Sequence, residues 1–324
     1  MKDIYITQCG SLKRKENSLI FENSKGVVRI PVKDVNTIYI FSEVSFNSAV
    51  MNFLSKLKIP IYFFNHYGYY VGAFYPLEKN VSGKLLVEQV KAYLNLKVRI
   101  SLAKNFLGAA LHNMRKTLMQ YNLLNEGDQL TKDNDLMNNI KTIERLLLFE
   151  AKKRQKYYKQ FNKVIKNKDF KFIERVRRPP DNYINTLISF GNSLLYSTTL
   201  SEILKTPLDP RISYLHEPFE RRFSLNLDLS EIFKPLIVDR VIFTLINKQI
   251  IKPDDFDKEL NFCYLNDDGR KKFIREYDNK LKTVIKYPGL NRKVSYRYMI
   301  RLECYKLIKF LLEKKEYRPF KIYW

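Results

Sequence analysis

Cysteine is scarce in this chain. The three cysteines, Cys9, Cys263 and Cys304, lie far apart and include no Cys-x-x-Cys pair. This pattern indicates neither a zinc ribbon nor a disulfide framework. No apolar run approaches the roughly 18 residues of a membrane-spanning helix, and the start of the sequence lacks the apolar core of a signal peptide. We therefore expect a cytoplasmic protein.

Acidic residues are too few to balance the basic ones. The chain has 34 Asp and Glu against 58 Lys and Arg, which gives a formal net charge of +24. Because so basic a protein repels itself, we expect a polyanionic partner, with nucleic acid as the first candidate and an anionic membrane surface as the second. An AT-biased genome also enriches Lys, Asn, Ile and Tyr, so the charge favours nucleic acid without proving it. No single basic amphipathic helix is evident in the sequence, which disfavours the membrane.

The spacing of apolar residues divides the chain in two, as the length of 324 residues leads us to expect. Up to residue 76 the apolar period is two, and short β-branched and aromatic segments alternate with turn formers. The predicted strands are 3–7, 18–21, 27–32, 36–40, 59–64 and 69–74, with one helical insert at 49–57. We predict an α+β protein with a small β-rich domain (1–76), a linker (77–84) and a larger all-α catalytic domain (85–324).

Beyond the linker the period changes to about 3.6, which is typical of amphipathic helices. A first helix begins at Leu86 and is extended or followed by a second through Phe106. The polar segment 125–129 is predicted to be a loop. Further helices are predicted at about 136–161, 182–204, 229–250 and 298–312.

Glu150 is the first candidate for chemistry. It lies on the side of its predicted helix that Leu147 and Tyr157 mark as apolar. A carboxylate facing a core is costly unless it is paired or binds a metal ion. Arg154, one turn later, offers the ordinary alternative of a Glu–Arg pair at the edge of that face. The sequence leaves both interpretations open.

His216 is the second candidate and one of three histidines in the chain. It lies in the turn-like segment Tyr214-Leu215-His216-Glu217-Pro218 between two helical stretches, and loops of this kind often carry ligands and catalytic groups. A single histidine is also commonly a surface or hydrogen-bonded residue.

Asp228 and Glu231 form the third candidate. They are three residues apart and share one face of a predicted helix. Asp-x-x-Glu before an apolar run is also a variant of the capping box, with Asp228 as the N-cap. Capping does not exclude a ligand role for Glu231.

Together, Glu150, His216 and Glu231 make a ligand set of two carboxylates and one imidazole. Such a set suits Mg²⁺ or Mn²⁺ with positions left open for water and phosphate oxygens. Zinc would also accept one histidine and two carboxylates, so the ligand types do not settle the metal.

Basic residues bracket these candidates along the chain. Arg and Lys neutralise backbone phosphates, and neighbouring aromatic rings can stack on unpaired bases. A solvated basic face is the competing interpretation. The residues predicted to contact DNA are Arg154, Arg177, Arg178, Arg221, Arg222, Arg292, Lys293 and Arg297.

Four segments occur in a fixed order along the chain: Leu147–Ala151 followed by Tyr157-Tyr158; Arg177-Arg178-Pro179-Pro180 leading to Asn185 and Ser189-Phe190-Gly191; Tyr214–Pro218; and Leu227–Pro235 ending in Val238-Asp239-Arg240. Together they resemble the family of CRISPR-associated protein one, the integrase of CRISPR adaptation. Their order and spacing fit the family over nearly the whole chain. Two departures are Ala151, where many members have glycine, and Asn192, which replaces an aromatic residue.

The resemblance implies a metal-dependent DNA integrase and endonuclease. By resemblance, Glu150, His216 and Glu231 are the ligands of Mg²⁺ or Mn²⁺, and Asp228 is an acidic residue often found beside them. The family implies a homodimer formed mainly through the β-rich domain, with CRISPR-associated protein two as a partner. Its implied reaction inserts short DNA fragments into a repeat array by transesterification, and the same site hydrolyses DNA. The rival hypothesis is a basic DNA-binding scaffold without chemistry.

Overall fold

The structure is a computed structural model. It describes residues 2–76, 81–132, 134–176, 179–218, 223–259, 262–287, 290 and 292–323, and all structural statements below concern these residues. The predicted α+β class is confirmed, because a strand-rich N-terminal part precedes a mainly helical C-terminal part. None of the helices in the described part of the chain combines the length and the apolar composition needed to cross a bilayer.

Two four-stranded sheets form the N-terminal part. The strands are β1 (Lys2–Ile6), β2 (Gly10–Lys15), β3 (Ser18–Asn23), β4 (Gly26–Pro31), β5 (Val35–Ile40), β6 (Val44–Phe46), β7 (Ile61–Phe64) and β8 (Tyr70–Phe74), with helix α1 (Ser48–Leu57) between β6 and β7. One sheet has the order β1-β5-β7-β8 and the other β4-β3-β2-β6. Leu19, Ile38, Leu54 and Ile61 lie fully buried in the core that these elements share.

Eleven described helices follow, all in the C-terminal part. They are α2 (Gly83–Leu94), α3 (Leu96–Met119), α4 (Leu124–Thr131), α5 (Asn134–Asn138), α6 (Ile143–Lys159), α7 (Phe161–Val164), α8 (Tyr183–Ile203), α9 (Leu225–Phe233), α10 (Val238–Asn247), α11 (Asp267–Lys282) and α12 (Tyr296–Glu313). Helix α8 is buried along almost its whole length and packs against α9, α10 and α12. It is the centre of the helical core.

The helical part differs from the prediction in several places. The expected loop at 125–129 is wrong, because α4 covers it and packs Gly127 and Leu130 against α3. The helical part is also not all α, since it contains the strand pairs β9 (Phe256–Glu259) with β10 (Phe262–Leu265) and β11 (Val284–Lys286) with β12 (Lys293–Ser295). Helix α2 begins at Gly83, inside the expected linker, with Ser82 as its N-cap.

One face of the β1-β5-β7-β8 sheet packs against the helices. Tyr39 and Phe64 from this sheet belong to the same apolar core as the helical residues. Arg297 of α12 forms ion pairs with Asp3 of β1 and Glu202 of α8. Apolar packing and buried charge therefore both join the two parts of the chain.

Candidate active site

Helix α6 supplies the first carboxylate. Thr142 caps its N-terminus by accepting a hydrogen bond from the amide of Arg145. Tyr157 and Phe161, which starts α7, lie buried in the helical core, which fixes the face that α6 turns inward. Glu150 lies at the edge of this face and accepts a hydrogen bond from Arg154 Nε at 2.8 Å. The Glu–Arg pair expected as the ordinary alternative is therefore present.

Arg154 does more than pair within its own helix. Its guanidinium also forms an ion pair with Glu231 of α9, so it connects the two candidate carboxylates. The Arg154 side chain is only 7% exposed, so in this structure it is not part of an exposed basic surface, and its predicted DNA contact stays a prediction. Lys234 forms a second buried ion pair with Glu231 and lies 5.0 Å from the ring centre of Tyr196.

Asp228 and Glu231 lie on helix α9, in the interior of the protein. Both side chains are essentially buried. The helix packs against α3 and α8, and it ends at Phe233 because Pro235 follows two residues later. The predicted helix 229–250 is therefore two helices, α9 and α10, separated by a short turn.

Asp228 organises the loop that carries His216. Its carboxylate accepts hydrogen bonds from the amides of Tyr214 at 2.6 Å, Leu215 at 3.0 Å and His216 at 2.9 Å. The N-cap of α9 is Ser224, so the interpretation of Asp228 as the N-cap is wrong. Asp228 lies one turn inside the helix and binds a distant loop instead.

The imidazole of His216 is oriented by the same carboxylate. Nδ1 of His216 lies 2.8 Å from Asp228 Oδ1. Since an ionised carboxylate only accepts, Nδ1–H donates and Nε2 is the ring nitrogen that can bind a metal ion. A carboxylate behind a histidine is the usual arrangement around metal-binding histidines, because it fixes both the tautomer and the ring orientation.

Arg99 of α3 holds the other side of this loop. Its Nε donates to the Tyr214 carbonyl at 3.0 Å, and its Nη2 contacts Glu217 at 2.5 Å. Ser213 Oγ also donates to the His216 carbonyl at 2.6 Å. His216 thus lies on a loop that buried groups fix from two directions.

Glu231 is held in its charged form. Burial alone would raise its pKa, but the positive charges of Arg154 and Lys234, with a contribution from His216, lower it to about 2. Burial would lower the pKa of His216, but the hydrogen bond that its ring donates to Asp228, the charge of Asp228 and then the charge of Glu231 raise this pKa above the ordinary value. Glu231 and His216 are therefore close enough for the charge of each to shift the pKa of the other.

The donor chemistry of Glu150, Glu231 and His216 fits a divalent cation. Two carboxylates and a neutral imidazole suit Mg²⁺ or Mn²⁺, and the role of Asp228 as the orienting group strengthens this fit. Within the described residues, no group of three or more His, Cys, Asp or Glu side chains is arranged closely enough to hold a metal ion. The two carboxylates instead share a guanidinium.

The remaining basic residues occupy different environments. Arg292 and Lys293 are exposed, and Arg292 lies 5.4 Å from the ring centre of Tyr298. Arg297 is largely buried and pairs with Asp3 and Glu202, so it does not fit the expected DNA contact. Four further predicted contacts lie outside the described residues: Arg177, Arg178, Arg221 and Arg222.

Sequence reasoning did not single out Lys234 or Arg99. Lys234 lies three residues after Glu231, and this spacing on a helix could have indicated the ion pair. Arg99 contacts residues more than one hundred positions away in the chain. No local pattern predicts that contact.

Comparisons with known proteins give one consistent result. The model of the family "CRISPR associated protein Cas1" matches residues 4–279. The CRISPR-associated endonuclease Cas1 of Clostridium perfringens is 49% identical over 329 residues, which cover 100% of this chain and 99% of the relative. A solved Cas1 structure from Thermotoga maritima has a TM-score of 0.91 and 39% identity, and the match covers 98% of this chain and 99% of that chain. A casposase bound to integration product has a TM-score of 0.86 over 98% of this chain and 92% of that chain, and at 22% identity this likeness shows the fold alone.

Proposed function

This chain belongs to the CRISPR-associated protein Cas1 family, and we propose that it is the metal-dependent DNA integrase and endonuclease of a CRISPR adaptation system. The observation that carries the proposal is the convergence of three distant segments. Helix α6, the His216 loop and α9 meet through the Arg154 contacts with both carboxylates and the Asp228 contact with His216.

Glu150, His216 Nε2 and Glu231 would hold Mg²⁺ or Mn²⁺. When bound, the ion supplies Lewis-acid polarisation of a phosphate and stabilises the charge that develops during phosphoryl transfer. Asp228 orients the imidazole, while Arg99 and Ser213 hold its loop. The orientation of His216 is thus fixed before DNA arrives, which would reduce the cost of assembling the site.

The reaction is a transesterification. The 3′-hydroxyl oxygen of a DNA fragment forms a bond to the phosphorus of a repeat phosphodiester, and the bond from that phosphorus to the 3′-oxygen of the repeat breaks. The attacking hydroxyl loses its proton to solvent, and the departing 3′-oxygen takes one up. With water as the nucleophile, the same exchange is hydrolysis.

The basic charge of the protein supports DNA as the substrate. The net charge is +24, and Arg292 and Lys293 present exposed cations to solvent. Phosphate contacts of this kind supply most of the non-specific affinity for DNA, and they make binding sensitive to salt. In the absence of metal, we therefore expect DNA binding that does not depend on the three ligand side chains.

The β-rich domain is proposed to form a homodimer, with the small protein Cas2 as a further partner. Strand β4 lies at the edge of its sheet and exposes Val27 and Val28, at 64% and 59%. Exposed apolar residues on an edge strand favour pairing with another chain. Light scattering of the wild type and of a Val28→Glu variant tests this, and an unchanged dimer in the variant would exclude this edge as the interface.

A strand-transfer assay with Mg²⁺ or Mn²⁺, with and without Cas2, tests the proposed function. Glu150→Ala, His216→Ala and Glu231→Ala are each expected to abolish strand transfer and to retain most of the DNA binding that is measured without metal. The scaffold hypothesis predicts no metal-dependent strand transfer or nicking by the wild type. Retained turnover in the His216→Ala protein would refute its role as a ligand.

A further inference from the structure

The Arg154 guanidinium contacts the two carboxylates that would bind the metal ion in the proposed site. It donates from Nε to Glu150 at 2.8 Å and pairs through Nη2 with Glu231. Its third nitrogen, Nη1, is buried and has no hydrogen-bond partner within the described part of the chain. The guanidinium therefore connects both carboxylates but leaves part of its own donor capacity unused.

The formal charges within these ion pairs already cancel. Glu150 and Glu231 contribute two negative charges, and Arg154 and Lys234 contribute two positive charges, all within one set of ion pairs. A divalent cation added to this set would leave an excess of two positive charges in a largely buried place. Uncompensated buried charge is strongly unfavourable, so the set accepts a metal ion only if a cation moves away or an anion arrives.

We propose that Arg154 is a resident counter-ion that occupies the metal-binding carboxylates in the free protein and transfers to a DNA phosphate when metal and DNA bind together. This inference rests on the proposed function, because it assumes that Glu150 and Glu231 are metal ligands. The planar guanidinium suits both partners, since it pairs with carboxylate and phosphate in the same forked geometry. The incoming phosphate also supplies the negative charge that the metal-loaded site needs.

Lys234 does not have the same role. Within the described part of the chain it pairs with Glu231 alone, and its ammonium also lies against the ring of Tyr196. Arg154 contacts both carboxylates, and its side chain belongs to the same helix as Glu150. Among the described residues that pair with Glu231, Arg154 is thus the one whose departure removes a cation from both carboxylates.

The proposal has a thermodynamic consequence. DNA should raise the affinity for the metal ion, and the metal ion should raise the affinity for DNA by the same factor, because coupling between two binding sites is reciprocal. We expect a factor on the order of tenfold, within the usual range of such couplings. Without DNA, metal binding should be weak because Arg154 competes for the carboxylates.

The experiment measures Mn²⁺ binding by isothermal titration and by the electron paramagnetic resonance signal of free Mn²⁺. Each protein is titrated alone and with a short DNA duplex that has 3′-dideoxy ends, so that it offers no 3′-hydroxyl for strand transfer. The variants are Arg154→Gln, which removes the charge, and Arg154→Lys, which keeps it. Circular dichroism and thermal unfolding show whether each variant folds.

For the wild type, we expect weak Mn²⁺ binding that DNA strengthens. For Arg154→Gln, we expect DNA-free Mn²⁺ affinity close to that of the DNA-bound wild type, with a coupling factor near one. Arg154→Lys keeps a positive charge beside the carboxylates, so without DNA it should bind Mn²⁺ more weakly than Arg154→Gln does. Equal DNA-free affinities in the wild type and Arg154→Gln would overturn the inference.

The reciprocal coupling in the wild type tests the inference even if Arg154→Gln does not fold. Mn²⁺ affinity that is the same with and without DNA would overturn it while leaving the metal site intact. Failure of the proposed function has a different signature, which is no Mn²⁺ binding by the wild type under either condition and no metal-dependent strand transfer.

Discussion

The Asp228 carboxylate binds His216 twice, at its backbone amide at 2.9 Å and at its ring Nδ1 at 2.8 Å. The same carboxylate also accepts hydrogen bonds from the backbone amides of the two preceding residues, Tyr214 and Leu215. One buried side chain of α9 thus determines both the path of the loop and the orientation of the ring. Asp228 is therefore a positioning residue.

Asp228→Asn is expected to lower strand transfer by about 10- to 100-fold, the usual effect of losing a carboxylate that orients a metal-binding histidine. The amide cannot accept all four hydrogen bonds, and it does not stabilise the Nδ1–H tautomer as a carboxylate does. Strand-transfer rates and Mn²⁺ affinity should fall together, while DNA affinity measured without metal stays close to that of the wild type.

Asp268→Asn is a matched control, because Asp268 is exposed at the start of α11 and pairs with Lys271. It should retain wild-type rates and wild-type Mn²⁺ affinity. An Asp228→Asn protein that unfolds at the wild-type temperature and keeps the wild-type rate would contradict the positioning role.

The exposed pair Arg292 and Lys293 is predicted to contact DNA backbone phosphates. The double variant Arg292→Gln/Lys293→Gln should bind DNA more weakly. The slope of log affinity against log salt concentration should become shallower by about 0.9 for each phosphate contact that is lost. Binding titrations over a range of salt concentrations measure both effects.

Lys25→Gln/Lys33→Gln removes the same charge from exposed positions of the β-rich domain, and it controls for net charge alone. Equal losses of affinity and equal slopes in the two double variants would mean that only the total charge matters.

Asp239 makes stability depend on pH. Burial raises its pKa from the ordinary 3.8 to about 7, although Arg154, Tyr157 and Lys234 act in the opposite direction. Between about pH 4 and pH 7, Asp239 thus keeps a proton in the folded state that it has lost in the unfolded state. This contribution to stability is complete below pH 4 and is lost as the pH rises through 7.

Asp239→Asn is therefore expected to gain thermal stability relative to the wild type as the pH rises from 5 to 8. Melting temperatures at several pH values measure the difference. The exposed Asp257→Asn variant should show no such trend. A constant difference between Asp239→Asn and the wild type at pH 5 and pH 8 would contradict the assigned pKa.

The periodicity of the sequence predicted the strand-rich front and most of the long helices. It missed strand β2, because only Leu12 of this strand is buried and three charged residues end it. It also missed α4, whose polar sequence resembles a loop but buries Gly127 and Leu130 against α3. Both elements depend on a few tertiary contacts rather than on a repeated local pattern.

The contacts in the candidate site also could not be predicted from local sequence patterns. The family resemblance predicted Glu150, His216 and Glu231 as ligands, and they remain a prediction. The Asp228–Glu231 spacing fitted a helix cap, but the carboxylate binds a loop that precedes it by twelve or more residues. The contact of Arg154 with Glu231 joins positions 77 residues apart. Spacing along the chain carries no information about either contact.

The most direct measurement is anomalous diffraction from crystals of the protein grown with Mn²⁺ and DNA. We predict one Mn²⁺ ion with Glu150, Glu231 and Nε2 of His216 all within coordination distance, at about 2.0–2.6 Å. In that structure Nδ1 of His216 should still contact Asp228. A Mn²⁺ ion bound without the imidazole, or no ion between the two carboxylates, would contradict the proposed metal site.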